Sequence, residues 1–268
     1  MPSSSLDRAR AFLGKPRCAQ AVILTVGVLL FWSVPLGSTG AISFAWYAFF
    51  LALGNVVFAC GLLWDALAIQ ETEAEASAAP PALAAVLTKR LSHRWTAFWI
   101  LVFATVLCAP ATLLYVRAAQ KGAVPGLQPS REGSAAAHDI WVGNCIFAVS
   151  SALFCVGLGI QGADAKWTFE DLEALLGQPV PEAKETMSQL GLIFGGLVGL
   201  TLGISLQVLV GRPVVGVSIV VGLLCSGSLI VLTIGAVWLL VAQVRDFRCA
   251  QDGKGPDEAT QLLAAKLS

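Results

Sequence analysis

Residues 190–211 read LGLIFGGLVGLTLGISLQVLVG, and residues 214–241 read VVGVSIVVGLLCSGSLIVLTIGAVWLLV. Neither stretch contains a charged side chain. An α-helix needs roughly 20 apolar residues to cross the hydrocarbon core of a bilayer, and both stretches are long enough. Inside that core each backbone polar group must find its partner within the chain, so we expect both stretches to be membrane-spanning helices.

Four earlier stretches have the same character, so the sequence predicts an all-α bundle of six membrane-spanning helices. The alternating pattern of a membrane β-barrel is absent from the sequence. We treat residues 1–268 as a single membrane domain with a basic interfacial segment (1–19), a six-helix bundle (20–243) and a polar tail (244–268). The predicted spans are 20–38, 41–64, 95–116, 140–163, 190–211 and 214–241.

The composition of the whole chain also indicates a membrane protein. Hydrophobic residues make up 56% of the 268 residues and charged residues 13%, with a mean hydropathy of +0.76. A soluble protein is roughly 25% charged and does not tolerate the large exposed apolar patches that this chain would have in water. The formal net charge is +0, so no overall field attracts a polyanion. We therefore expect a multi-pass protein whose partner is the lipid bilayer, and neither a soluble enzyme nor a nucleic-acid partner.

The positive residues predict the orientation. Thirteen of the 17 Lys and Arg residues fall on the side that holds both termini, and four fall on the other. Positive residues concentrate on the inner side, so both termini are predicted to face the cytosol, matrix or stroma. The membrane is either a plasma membrane or an organelle inner membrane. The N-terminal segment reads either as a basic interfacial helix or as a short targeting segment. Tryptophans and tyrosines near the span ends, among them Tyr47 and Tyr115, are expected to anchor at the water interfaces.

Small residues recur at every fourth position in the fifth span and form a ridge in the fourth. A spacing of four places them on one helical face, where they allow another backbone to approach closely. We predict that the fourth and fifth spans pack tightly, either on each other or on a second subunit. The predicted packing groove consists of Gly191, Gly195, Gly199 and Gly203 in the fifth span, with Ser151, Cys155 and Gly159 in the fourth.

The polar residues deep within the spans are uncharged. Amides in hydrocarbon need hydrogen-bond partners, so they either join helices or line a path for a solute or ion. The candidates for a pore or polar network are Asn55, Asn144, Gln161 and Gln207. The carboxylates of Asp65, Asp139 and Asp164 fall near span ends and are expected to reach water.

Two prolines are predicted to kink the spans near their outer ends. Pro35 and Pro110 each remove one helical hydrogen bond, leaving the carbonyls of Phe31 and Val106 without that partner. Such kinks suit a gate or vestibule, although they also fit ordinary irregularity at a helix end.

The sequence offers little for catalysis. His93 and His138 are predicted on opposite sides of the bilayer, so they cannot ligate one haem. No HExxH, GxSxG or P-loop motif occurs, and none of the seven cysteines forms a CxxC pair. We therefore expect no enzymatic activity, no cofactor and no metal site.

Two functions remain open. The first is a non-catalytic structural or accessory subunit that packs against other membrane subunits, or against a second copy, through glycine-rich faces. The second is a small channel or transporter for a neutral or weakly charged solute or ion. A polar cavity reached by Asn55 or Gln207 would favour transport, and a dry core would favour the subunit. Phe58-x-x-Gly61-Leu62 and Phe154-x-x-Gly157-Leu158 are similar, which fits either a duplicated hairpin or chance.

Overall fold

The computed structural model describes residues 11–38, 41–124, 129–211 and 215–251. Within these ranges the chain is helical and contains no β-strand. Residues 1–10 of the predicted basic segment and 252–268 of the predicted tail lie outside the described residues. The helices are α1 (Pro16–Phe31), α2 (Ser33–Ser38), α3 (Phe44–Ala78), α4 (Pro81–Thr88), α5 (Leu91–Gln120), α6 (Ala135–Leu176), α7 (Pro181–Val210) and α8 (Val215–Gln251).

Six helical stretches are long and apolar enough to cross a membrane. The first combines α1 and α2, and the third combines α4 and α5. The prediction of an all-helical chain with six helices of membrane-spanning length is confirmed for the described residues. The six stretches are Pro16–Leu36, Phe44–Ala78, Pro81–Gln120, Ala135–Leu176, Ala183–Val210 and Gly216–Cys249.

Two helices run well past the predicted ends of their spans. α6 has 42 residues, which at about 1.5 Å per residue gives about 63 Å, roughly twice the hydrocarbon thickness. It ends at Leu176 and is capped by Gly177, whose φ of 70° is the left-handed conformation that glycine adopts readily. α3 likewise continues to Ala78, beyond the predicted end at residue 64. The acidic residues that follow the second and fourth predicted spans therefore lie on helices. These residues are Glu71, Glu73 and Glu75 on α3 and Glu170, Asp171 and Glu173 on α6.

The six spans form a closed ring. Each span packs against the spans before and after it in the chain, and α8 returns to pack against α1. The rings of Phe12 and Phe247 meet edge to face with their centroids 5.2 Å apart, so the two described ends of the chain lie together. We call the end of the ring where they lie the inner end, because the distribution of Lys and Arg predicts that the termini face inward. The opposite end is called the outer end.

A stripe of mostly small residues joins α5 to α6. Ser150 of α6 donates its hydroxyl to the carbonyl oxygen of Ala104 at 2.8 Å. A Cβ on Gly157 would lie only 2.7 Å from Cδ2 of Leu101. Close backbone approach of this kind holds helices together in lipid, where the hydrophobic effect does not drive their association. The buried stripe on α5 repeats every seven residues: Ala97, Leu101, Ala104, Cys108, Ala111, Tyr115 and Ala118.

Glycines of α7 bring α8 equally close. A Cβ on Gly196 would lie 2.8 Å from the backbone nitrogen of Leu232 and 2.8 Å from the carbonyl oxygen of Ser228. A Cβ on Gly203 would lie 2.7 Å from Sγ of Cys225. A side chain at Gly196 therefore requires α8 to move away, whereas one at Gly203 requires the Cys225 side chain to move.

Candidate functional site

A cavity of about 340 Å³ lies on the axis of the ring, and all six spans contribute to its wall. It lies near the outer end, because Phe44 at the start of α3 and Pro129 just before α6 both line it. We call it the outer cavity. Its described wall contains no Asp, Glu, Lys, Arg or His. A charged solute would lose its hydration there without meeting an opposite charge, so the cavity suits an uncharged molecule.

Three hydrogen-bonded side chains form a row on the wall of the outer cavity. Tyr115 of α5 donates its hydroxyl to Oδ1 of Asn144 of α6. Nδ2 of Asn144 donates to Oε1 of Gln207 of α7 at 3.1 Å. Nε2 of Gln207 has no hydrogen-bond partner among the described residues. The row therefore ends in an amide donor that can pair with a ligand or with solvent in the cavity.

Aromatic side chains narrow the axis below the outer cavity. Phe31 and Phe147 line both this cavity and a second one of about 80 Å³, whose wall is almost wholly apolar. The ring centroid of Phe31 lies 6.1 Å from that of Phe147 and 5.5 Å from that of Phe58. We call these three residues the aromatic constriction. Phe31 and Phe147 lie where the outer cavity borders the second one, and Phe58 lines the second.

At the inner end, Asp65 joins three spans. Its Oδ1 accepts a hydrogen bond from Nε2 of Gln20 on α1 at 3.0 Å, and its Oδ2 accepts one from Nε2 of Gln161 on α6 at 3.1 Å. Asp65 lies on α3 and is buried. A buried carboxylate is costly without such partners, so these bonds favour the arrangement in which α1, α3 and α6 stay together. We call Gln20, Asp65 and Gln161 the inner closure.

A second buried carboxylate at the inner end has a cation as its partner. Arg94 at the start of α5 donates from Nε to Oδ2 of Asp164 at 2.7 Å, and from Nη1 to the hydroxyl of Thr72 at 3.3 Å. The other oxygen of Asp164, Oδ1, is buried without a hydrogen-bond partner among the described residues. Arg94 is therefore the main compensation for the charge of Asp164.

The prediction that Asp65, Asp139 and Asp164 reach water is wrong. Their exposed fractions are 8%, 5% and 2%. Asp139, at the outer end, pairs with Nζ of Lys121 at 2.5 Å. The helices continue past the predicted span ends, so these carboxylates lie against neighbouring helices instead of in open loops.

Beyond the membrane-spanning part of α6, the ion pairs are more exposed. The hydrogen bond from Lys89, together with the one from Arg90, lowers the pKa of Asp171. Nη1 of Arg90 lies 2.7 Å from Oδ2 of Asp171, and its guanidinium lies over the ring of Trp167 at 5.4 Å. These contacts attach the segment around α4 to the extension of α6.

The four predicted amides fall into three places. Asn144 and Gln207 meet in the row of the outer cavity, whereas Gln161 belongs to the inner closure. Nδ2 of Asn55 donates to the hydroxyl of Thr112 at 2.6 Å and so joins α3 to α5, and Asn55 lines the second cavity. The amides therefore do not form one continuous polar path.

The glycines of the predicted groove divide between two faces of α7. A Cβ on Gly199 would collide with the hydroxyl of Ser228, so Gly199 faces α8, as Gly203 does. Gly191 and Gly195 are exposed, and a Cβ on either would meet nothing within 4 Å.

The ridge of the fourth span lies partly toward α7. Sγ of Cys155 lies 3.4 Å from the hydroxyl of Thr201, and a Cβ on Gly159 would lie 3.4 Å from the ring of Phe194. Ser151 is buried and lines the second cavity.

The two prolines lie in different surroundings. Pro35 lies in α2 and lines the outer cavity. The carbonyl four residues before it belongs to Phe31, which is the last residue of α1, as expected where a proline removes the donor. Pro110 lies inside α5, which continues through it.

Sequence reasoning missed the roles of Tyr47 and Tyr115. Both were predicted as interface anchors, yet both line the outer cavity, and their ring centroids are 5.7 Å apart. The signal for Tyr115 was its place on the seven-residue stripe of α5, whose other members are buried.

Comparison with protein-family models, curated proteins and solved structures finds no match to this chain. Among the described residues, no group of three or more His, Cys, Asp or Glu side chains is placed to hold a metal ion.

Proposed function

We propose that this protein moves a small uncharged molecule across its membrane along the axis of the six-helix ring. The observation that carries the proposal is the outer cavity, which lies on that axis and has no charged side chain in its described wall. Sites for small molecules are concave and mostly apolar, with a few polar groups that converge on the ligand. The outer cavity has this character, with the row from Tyr115 to Gln207 as its polar group.

The volume limits the size of the molecule. A cavity of about 340 Å³ falls at the lower end of the roughly 300–1,000 Å³ range of small-molecule sites. One organic molecule of moderate size fills the same space. Several smaller solutes also fit, either one at a time or together.

The arrangement along the axis fits a carrier whose binding cavity lies at the outer end while its inner end is shut. The aromatic constriction lies below the cavity, and the hydrogen bonds of Asp65 join three spans beyond it. Transport then requires the contact between Phe31 and Phe147 and the bonds of Asp65 to open in turn. Spans that rock against one another around a central site give alternating access of this kind.

Osmotic swelling of lipid vesicles that contain the purified protein tests the proposal. Acetamide and glycerol serve as small uncharged solutes, and methylammonium chloride serves as a charged one. We expect swelling faster than that of protein-free vesicles with at least one uncharged solute, and no acceleration with methylammonium. Swelling at the protein-free rate with both uncharged solutes, or equal acceleration with the charged one, would contradict the proposal.

A membrane-embedded accessory subunit is the second candidate, and one observation favours it. Gly191 and Gly195 lie on an exposed face of α7 that has no side chain at these two positions and that no described part of the chain covers. Such a face allows a helix of another subunit, or of a second copy, to approach closely. Purification in mild detergent followed by mass spectrometry tests this candidate. A partner subunit lost in Gly195→Leu supports it, and a wild-type protein that carries no other subunit contradicts it.

A further inference from the structure

The hydrogen-bonded row in the outer cavity has a direction. Asn144 accepts from Tyr115 with its oxygen and donates to Gln207 with its nitrogen. Because Oε1 of Gln207 receives that bond, its Nε2 lies at the far end of the row. Successive hydrogen bonds polarise one another, so the last N–H group is a stronger donor than an isolated amide.

This last donor selects for an acceptor. An amide nitrogen donates and does not accept, and leaving it unpaired in an apolar cavity costs free energy. The oxygens of Asn144 and Gln207 each already accept one bond within the row, whereas Nε2 of Gln207 donates none there. A ligand group that accepts a hydrogen bond therefore completes the row by pairing with Nε2 of Gln207.

We propose that the molecule bound in the outer cavity is an uncharged carbonyl compound whose oxygen accepts a hydrogen bond from Nε2 of Gln207. The inference rests on the proposed function and specifies the chemical class that the same cavity takes. Most of the rest of the molecule is apolar, because Phe31, Phe44 and Phe147 line the same cavity together with several aliphatic side chains. Aromatic rings and aliphatic chains pack well on such walls.

Photolabelling tests the ligand class without depending on transport. Benzophenone is a neutral carbonyl compound that, under light, attaches to C–H groups close to it, and mass spectrometry maps the labelled residues. The competitors are fluorenone and fluorene, which share a ring skeleton and differ by the carbonyl oxygen. The variants are Gln207→Met, which keeps side-chain length and removes the donor, and Gln120→Met, which changes an exposed glutamine at the end of α5.

We expect label on residues that line the outer cavity, and fluorenone should compete about three- to tenfold better than fluorene, as one neutral hydrogen bond allows. The preference should disappear in Gln207→Met and persist in Gln120→Met. Equal competition in the wild-type protein, a preference that survives Gln207→Met, or label that misses the cavity would each overturn the inference. Equal competition together with protein-dependent swelling overturns the ligand class and leaves the proposed function standing.

Discussion

The outer cavity and the inner closure differ in which polar groups they bury. The cavity row consists of a phenol and two amides, all uncharged. The inner end buries the carboxylates of Asp65 and Asp164, held by amides and by Arg94. The buried carboxylate of the outer end, Asp139, pairs with Lys121 and is not part of the cavity wall. A neutral hydrogen bond in the row can be replaced by one to a ligand at a modest cost in free energy. Separating the buried ion pair of Arg94 and Asp164 costs much more. Under the proposed function, this difference assigns ligand binding to the outer cavity and the larger opening barrier to the inner end.

The largest expected effect is at the inner end. Arg94→Met should lower the free energy of unfolding by about 3–5 kcal/mol, because it leaves the carboxylate of Asp164 buried without its cation. Titration with denaturing detergent in mixed micelles measures the change.

Two control variants sharpen this prediction. Lys166→Met breaks an exposed i,i+4 pair with Glu170 and should change stability by no more than about 0.5 kcal/mol. Arg94→Met combined with Asp164→Leu should recover most of the loss, because it removes the unpaired charge as well. A double variant as unstable as Arg94→Met alone would place the loss in packing rather than in charge.

The next largest effect on stability is expected where α7 packs against α8. Gly196→Ala should destabilise the protein by about 1–3 kcal/mol, because its Cβ would press on the backbone of α8. Gly195→Ala, one residue away, should be neutral or stabilise by up to about 1 kcal/mol, because it has open space and alanine favours the helix. The same titration measures both, and equal effects of the two would contradict the placement of α8.

A smaller effect is expected in the cavity row. Tyr115→Phe removes the hydroxyl that donates to Asn144 and should cost about 1 kcal/mol. Unfolding titration and benzophenone labelling, run on the same sample, measure the stability loss and show whether the cavity persists. A loss of stability as large as that of Arg94→Met would contradict the expectation that breaking the cavity row costs less than breaking the buried ion pair.

The smallest effect lies at the exposed end of α6. Asp171→Asn removes the partner of Lys89 and Arg90 and should lower the melting temperature slightly, and less at high salt. Because these cations lower the pKa of Asp171 in the folded protein, its contribution is present above the unfolded value of about 3.9. It is lost as the pH falls through the lower folded value. A difference between wild type and variant that grows on acidification would contradict this sign.

The sequence predicted the long apolar helices because span length and the absence of charge depend on the local chain alone. It also identified Asn144 and Gln207 as polar residues in need of partners, but pairing them required the ring to close. Asp65 and Asp164 were misjudged because their burial depends on how far α3 and α6 extend beyond the hydrocarbon. Spacing placed Gly191 and Gly199 on one face, yet only the position of α8 decides which of them is covered.

Cys225 allows a direct test of whether the molecule moves through the outer cavity. It lines that cavity, whereas Cys60 is exposed on the surface of α3. Two variants, each keeping one of these cysteines as its only thiol, would be modified with neutral benzyl methanethiosulfonate and then assayed for vesicle swelling in acetamide. We predict that full modification at Cys225 reduces swelling to the protein-free rate, while modification at Cys60 leaves it unchanged. Unaltered swelling after full modification of Cys225 would show that the solute does not pass through the outer cavity.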